Sequence, residues 1–330
     1  MRRLLLASVI VLALVAAACS GDDDAGTGSA DAAPATTTTA AGQGGELDLL
    51  SYNVAGLPEV LSGSEPSVNM PLIGPKLNDY DLVVLQETWK TPDPNPAAPI
   101  RVYHEELESR VDFEYASASP DQPFGGDPDR LEALLADGLN QFSRYPFGDV
   151  TRVRWDGCFG GADQSRGGAG DCLSLKGFMV STVTLADGVE VDVYDLHAEA
   201  GSTPQDQALQ AADYDQLAAF IEEHSAGHAV LLAGDTNLHT WTTPDPDHPE
   251  GEGDLEIWQA FLDRTGLTDV CDAVECDDPS AIDKAAFRSD DGITLEPLRH
   301  TNPTDTFVRD DGEPLSDHPP LAVTFRWAAP

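Results

Sequence analysis

Basic residues are scarce. The 330-residue chain carries 18 Lys and Arg against 58 Asp and Glu, a formal net charge of −40. Proteins that grip duplex nucleic acid use a basic stripe to displace counterions from the phosphates. No Lys/Arg cluster follows the first few residues, which argues against general nucleic-acid binding. The same charge keeps an exported protein soluble and repels anionic membrane surfaces. Cys-x-x-Cys pairs and the His spacing of a zinc site are also missing. So are EF-hand loops and Asp-rich repeats, which removes the simplest reading of the acidity, a calcium-binding adhesin.

The N-terminus has a different composition. MRRLLLASVIVLALVAAAC runs from two arginines through an apolar stretch to small residues ending at Cys19. That is a secretory signal layout, too short and too weakly flanked for a stable membrane span. Ala16-Ala17-Ala18-Cys19 resembles a bacterial lipobox, and the resemblance implies cleavage before Cys19 and lipidation of its sulfur. The expected location is therefore exported, lipid-anchored at Cys19 on the outer face of the bacterial cell membrane, or secreted. An ordinary Ala-x-Ala cleavage is the alternative. Residues 20–45, rich in Gly, Ser, Thr and Ala, read as a flexible linker. Residues 46–330 read as a single domain able to bury a large core. Four cysteines remain after Cys19, an even set that points to disulfides in an exported protein. Proximity favours Cys158–Cys172 and Cys271–Cys276 among three connectivities.

Within the domain the apolar runs are short and rich in β-formers: Leu47–Tyr52, Leu82–Leu85, Phe178–Leu185, Val189–Leu196, Val230–Ala233 and Leu321–Phe325. Helical spacing is clear over Leu209–Glu223, and shorter helices are expected at Leu131–Ala136 and Leu255–Leu262. Gly/Pro/Asp-rich loops at 119–130, 156–171 and 240–254 are long enough to be functional. Trp89, Trp155, Trp258 and Trp327 are expected in the core or in groove walls. His239, His248 and His300 are expected at the solvated surface.

The chemistry lies at the ends of these runs. LDLLSY leads to Asn53, LVVLQ to Glu87, VEVDVYDL to His197, and HAVLLAG to Asp235 with Asn237 two residues on. LAVTF begins just after Ser316-Asp317-His318. If that strand is antiparallel to its neighbours, all these groups share one rim. Singly, each is an ordinary loop residue or a cap of its own turn. Jointly they supply carboxylates and amides for a hard cation and two histidines for proton transfer.

SYNVAGLP, VVLQETW, DLHAEAG, GDTN and SDHPPL, in that order, resemble the successive motifs of the endonuclease/exonuclease/phosphatase (deoxyribonuclease I-like) superfamily. GLNQFSRYPF resembles that family's strand ending in a Ser-Arg/Lys-x-Pro turn. AIDKAAFRSDDGITLEP resembles its Ile-Asp-Tyr-Ile/Val segment, which places an aspartate at Asp283, although Lys284 and two alanines replace the usual large residues. The resemblance implies an α/β (α+β) four-layer sandwich of two packed mixed β-sheets flanked by helices. It implies a divalent cation, Mg²⁺ before Mn²⁺ or Ca²⁺, at Glu87 with Asn53, and a water, metal or phosphate role for Asp235 and Asn237. It implies His318 as general base, Asp317 as metal ligand or orienter of a histidine, and His197 as donor to the phosphate. CLSLKGFM (172–179) further resembles the Ser-x-Lys-Gly-Phe segment of secreted neutral sphingomyelinases and related phospholipase C-like members. Haemolytic members enter membranes through an aromatic hairpin; here loop 240–254 has one Trp and several acids and would enter a bilayer poorly. The expected function is thus an exported phosphodiesterase acting on a lipid or small phosphodiester substrate. An extracellular deoxyribonuclease-like endonuclease and a catalytically silent ligand-binding surface lipoprotein are the alternatives.

Overall fold

The computed structural model describes residues 42–59, 63–91, 102–163, 165, 167–241 and 253–330. The signal segment, Cys19, most of the linker and most of loop 240–254, with His248, lie outside the described residues.

Two six-stranded sheets make the body. The first has the order Thr294–Thr301 (β11), Leu321–Ala329 (β12), Gln43–Asn53 (β1), Leu82–Gln86 (β2), Asn140–Ser143 (β4) and Tyr115–Ala116 (β3). The second has the order Thr151–Arg154 (β5), Gly177–Ala186 (β6), Val189–His197 (β7), Val230–Asp235 (β8), Asp283–Arg288 (β10) and Thr268–Asp269 (β9). In each, one central pair is parallel, β1 with β2 and β7 with β8, and the other pairs are antiparallel. The first strand starts at Gln43 rather than at 46. Gly45 lies so close to Trp327 that a Cβ there would sit 3.1 Å from the indole nitrogen.

Period-two alternation builds the layers. Leu47 and Leu49 of β1 and Leu82 and Val84 of β2 face Val191, Val193, Leu231 and Ala233 of the second sheet in one inter-sheet core. The alternate residues Leu50, Tyr52, Val83 and Leu85 face outward onto Pro66–Leu77 (α1) and Tyr103–Glu108 (α2). Tyr194, Leu196, Val230 and Leu232 likewise face Pro204–His224 (α3) and Asp254–Thr265 (α4). The expected helix at 209–223 extends to a full capping box at Thr203 and Asp206. Among the described residues no helix is long and apolar enough to cross a membrane.

Two helix readings change. α1 forms although it contains Pro71, Gly74 and Pro75; Met70, Ile73 and Leu77 are fully buried against the first sheet, and that burial outweighs poor propensity. Leu131–Ala136 is not helical. Six residues are too few to nucleate a helix alone, and here the Leu134 and Leu135 amides instead donate to the Leu173 carbonyl. Both expected disulfides are present, with Cα–Cα distances of 5.2 Å for Cys158–Cys172 and 5.4 Å for Cys271–Cys276. The four tryptophans are buried as expected, and so is His300, which sequence reasoning had placed at the surface.

Candidate active site

The inter-sheet face turns polar as the strands approach one rim. Along β1 the inward residues are Leu47, Leu49, Ser51 and Asn53; along β2, Leu82, Val84 and Gln86; along β7, Val191, Val193, Asp195 and His197. Gln86 Nε2 donates to Asp195 Oδ1 at 2.6 Å and Ser181 Oγ to Gln141 Oε1 at 2.9 Å, so polar ties lock the two sheets together beneath the rim.

Register then sets the site. His197 pairs with Asp235 across β7 and β8, and Asp283 pairs with Asp235 across β8 and β10. These three side chains therefore share a rung and a face. β12 runs antiparallel to β1, with Leu321 opposite Ser51, which brings Asp317-His318 to the same rim. Ser316 Oγ fastens that turn by donating to the Asn53 carbonyl at 2.7 Å.

Asn53 is the hub and is fully buried. Its Nδ2 donates to Asp235 Oδ2 at 3.0 Å and Glu87 Oε1 at 3.2 Å, and lies 3.4 Å from His318 Nε2. Its oxygen accepts from the Ala55 amide, which fixes the flip of the side chain. Asn53 was expected as a metal ligand; here it turns its NH₂, a donor, toward the carboxylates. Glu87 has φ 57° and Asn237 φ 50°, left-handed conformations that aim loop residues back over the rim. Such strain costs a bulky residue about 1 kcal/mol or more and clusters at functional sites. Gly56 packs so tightly that a Cβ would fall 2.1 Å from the Glu87 carbonyl oxygen.

His318 Nδ1 lies 2.8 Å from Asp283 Oδ2. The neutral tautomer with its proton on Nδ1 donates there and leaves Nε2 as acceptor for Asn53. Burial by itself would lower the His318 pKa, but Asp235 and the Asp283 bond outweigh it and raise it to about 10 in the metal-free protein. Burial would raise Asp235, yet His318 and Lys176 hold it below the usual carboxylate range. Burial pushes Glu87 up, opposed by Lys176. Burial and the nearby Lys176 charge push His197 well down, so it stays neutral.

The structure brings Asn53, Glu87, His197, Asp235, Asp283 and His318 together, and Asn237 borders them: its amide hydrogen donates to Asp235 Oδ1 at 3.0 Å and its side chain to the Ala198 carbonyl at 3.1 Å. One alternative is corrected: the carboxylate that orients His318 is Asp283 and not Asp317, which is exposed, with Ser316 Oγ 3.3 Å from its Oδ1. A short side chain next to His318 in the turn points out, while the register of β10 brings in one from 35 positions away. His197 is 1 % exposed, with Nε2 3.4 Å from Asp235 Oδ2, beside the carboxylates of the rim.

Lys176 was part of a quoted motif but not assigned to the site. Its Nζ is 2.5 Å from Asp171 Oδ1 and 3.3 Å from the Ala198 carbonyl, and its charge acts on Glu87, His197 and Asp235. A lysine just before an apolar strand was the available signal. The carboxylates fit a hard divalent cation: Glu87 Oε1 and Asp235 Oδ2 both accept from Asn53 Nδ2 and lie 3.9 and 3.4 Å from His197 Nε2, and Glu87 is the more open of the two to the cleft.

Comparison with known proteins agrees with this geometry. Residues 50–318 match the model of the Endonuclease/Exonuclease/phosphatase family. A sphingomyelinase of Mycobacterium tuberculosis is 30 % identical over 308 residues, covering 86 % of this chain and 54 % of that protein. The chain thus spans about half the length of the curated relatives it matches. Sphingomyelinase C from Streptomyces griseocarneus superposes with TM-score 0.55 at 17 % identity, covering 85 % of this chain and 99 % of its own. A mutant Staphylococcus aureus beta toxin with bound magnesium ions gives TM-score 0.55 at 17 % identity, with 84 % and 99 % covered. These two likenesses bear on the fold.

Proposed function

The chain belongs to the Endonuclease/Exonuclease/phosphatase family, and from that premise we propose that it is an exported, divalent-cation-dependent phosphodiesterase of the sphingomyelinase/phospholipase C type. The observation that carries the reading is the Asp283–His318 pair set beside Asp235, Asn53 and Glu87 at one rim.

The residues divide the work. Asp283 holds the His318 ring and fixes its tautomer, which leaves Nε2 to take the proton from an attacking water. The water oxygen bonds to phosphorus as the bond to the leaving alcohol oxygen breaks. Asn53 ties His318, Glu87 and Asp235 into one unit, so the base and the metal-type carboxylates keep a fixed spacing. Lys176 supplies buried positive charge under an anionic substrate, and neutral His197 braces Asp235 without adding charge. Glu87 and Asp235 would hold the cation, Mg²⁺ being the first candidate; when bound, it offsets the charge that builds on the phosphoryl oxygens.

Similarity to sphingomyelinase and the −40 charge favour a lipid phosphodiester over DNA. The signal layout and Cys19 support export and lipid anchoring on the outer face of the cell membrane; a Cys19→Ala variant should then move to the soluble fraction, and a wild type found wholly soluble and uncleaved contradicts it. Activity on sphingomyelin, phosphatidylcholine, DNA and a chromogenic phosphodiester, with and without Mg²⁺, tests the function. Mg²⁺-dependent cleavage of choline phospholipid is expected. Cleavage of DNA alone, or of nothing, overturns the reading.

A further inference from the structure

The surface is apolar at one point. Among the described residues, Leu131 and Phe124 are the most open large apolar side chains, 72 % and 66 % exposed, with Leu134 at 48 %. They lie on one segment that is clipped to itself: the Phe124 amide donates to the Leu134 carbonyl and the Gly125 amide to the Ala133 carbonyl. Beside them an open groove of about 530 Å³ is lined by Leu131, Leu134, Phe159, Leu173 and the Cys158–Cys172 bridge.

The groove is joined to the site by backbone. The Leu134 and Leu135 amides donate to the Leu173 carbonyl, and Lys176 follows three residues later. The Phe159 amide donates to Glu199 Oε1 at 2.6 Å, two residues beyond His197. Arg130, buried, fixes the segment by donating to the Trp155, Gly157 and Ser174 carbonyls. Backbone and Arg130 hydrogen bonds thus hold large apolar side chains in water on a segment tied to the stretch that carries Lys176, an arrangement that marks an interaction surface.

We propose that Phe124, Leu131, Leu134 and the groove they border form the surface that docks on a zwitterionic lipid bilayer. This rests on the reading of a lipid phosphodiester substrate, which the site can reach only from a bilayer surface. Charge selects the bilayer: Glu132 and Asp163 line the groove, and the whole chain carries −40. An anionic surface would repel it, whereas a phosphocholine surface has no net charge to oppose apolar entry.

The test is vesicle co-sedimentation of residues 20–330, which lack both the apolar signal run and Cys19, so that neither contributes, in EDTA, so that no lipid turns over. The parent is expected to sediment with phosphatidylcholine vesicles, and no better with vesicles containing about a third phosphatidylserine. Leu131→Asp with Leu134→Asp should weaken binding roughly tenfold or more, and Phe124→Ser should weaken it independently; circular dichroism verifies folding of each. A parent that stays in solution, a double variant that binds like the parent, or stronger binding to the anionic vesicles overturns the proposal. So does a parent dimer, seen by light scattering, that the double variant abolishes. Hydrolysis of a soluble chromogenic diester, run in parallel with Mg²⁺, tests the phosphodiesterase reading separately, so failure of one is not failure of the other.

Discussion

At the residue scale the site turns on which carboxylate holds His318. Adjacency suggested Asp317, and register delivered Asp283. His318→Ala should lower the turnover rate by roughly two to four orders of magnitude, with folding checked by circular dichroism; a folded variant with full activity removes His318 as base. Asp283→Asn keeps a hydrogen-bond acceptor but removes a charge that raises the His318 pKa. The alkaline rise in the pH–rate profile, which needs neutral His318, should therefore move to lower pH in that variant. An unmoved profile shows that Asp283 does not act through His318. In the metal-free protein His318 is raised to about 10, so the stability it lends is full below its unperturbed value near 6.5 and lost as pH rises toward 10. Mg²⁺ next to Asp235 opposes the same carboxylates, so the His318 titration followed by NMR should shift downward on adding Mg²⁺. The candidate residues were legible because each ends or begins an apolar run. Asn53's donor orientation was not, since only the Ala55 amide fixes it, and Lys176's approach was hidden because it depends on the Ala198 and Asp171 contacts.

At the element scale, strands were the legible part. Alternation in LDLLSYN already separates Leu47, Leu49 and Asn53 on one face from Leu50 and Tyr52 on the other. α1 was illegible because its prolines oppose local propensity and only tertiary burial overrides them. The Cys158–Cys172 bridge closes a 14-residue separation beneath the segment that carries Lys176. Replacing both cysteines by serine should cost about 3 kcal/mol in denaturant melts on the chain-entropy estimate; an unchanged midpoint shows that the loop is held without the bridge. α3 meets the site through Asp213, whose Oδ2 accepts from the Glu199 amide at 3.3 Å. Burial pushes both Glu199 and Asp213 up to about 8. Their raised pKa values mean that folding favours the protonated acids, so stability falls as pH climbs from about 4 to about 8. Asp213→Asn should raise the melting temperature at pH 8.5 and leave it nearly unchanged at about pH 4. A drop at both pH values shows that the carboxylate itself, ionised or not, is structurally required.

At the scale of the whole molecule, two sheets back to back place four strand ends and two strand starts at one rim, and that convergence makes the site. Five short motifs in order were enough to expect this architecture through their resemblance to the family; four of them mark strand ends and SDHPPL a strand start. The docking patch was not legible, since Leu131 and Leu134 read as one face of a helix until backbone bonds to Leu173 show otherwise. The most direct measurement is the rate of hydrolysis of a soluble chromogenic phosphodiester by wild type and Glu87→Gln across a Mg²⁺ titration that starts in EDTA. Glu87 offers the open carboxylate of the rim, and glutamine keeps its shape while removing the charge. The expected result is no wild-type activity in EDTA, recovery with Mg²⁺, and a variant that needs more Mg²⁺ and reaches a lower maximal rate; EDTA-resistant wild-type hydrolysis, or a variant indistinguishable from wild type, would contradict a metal-dependent phosphodiesterase at this rim.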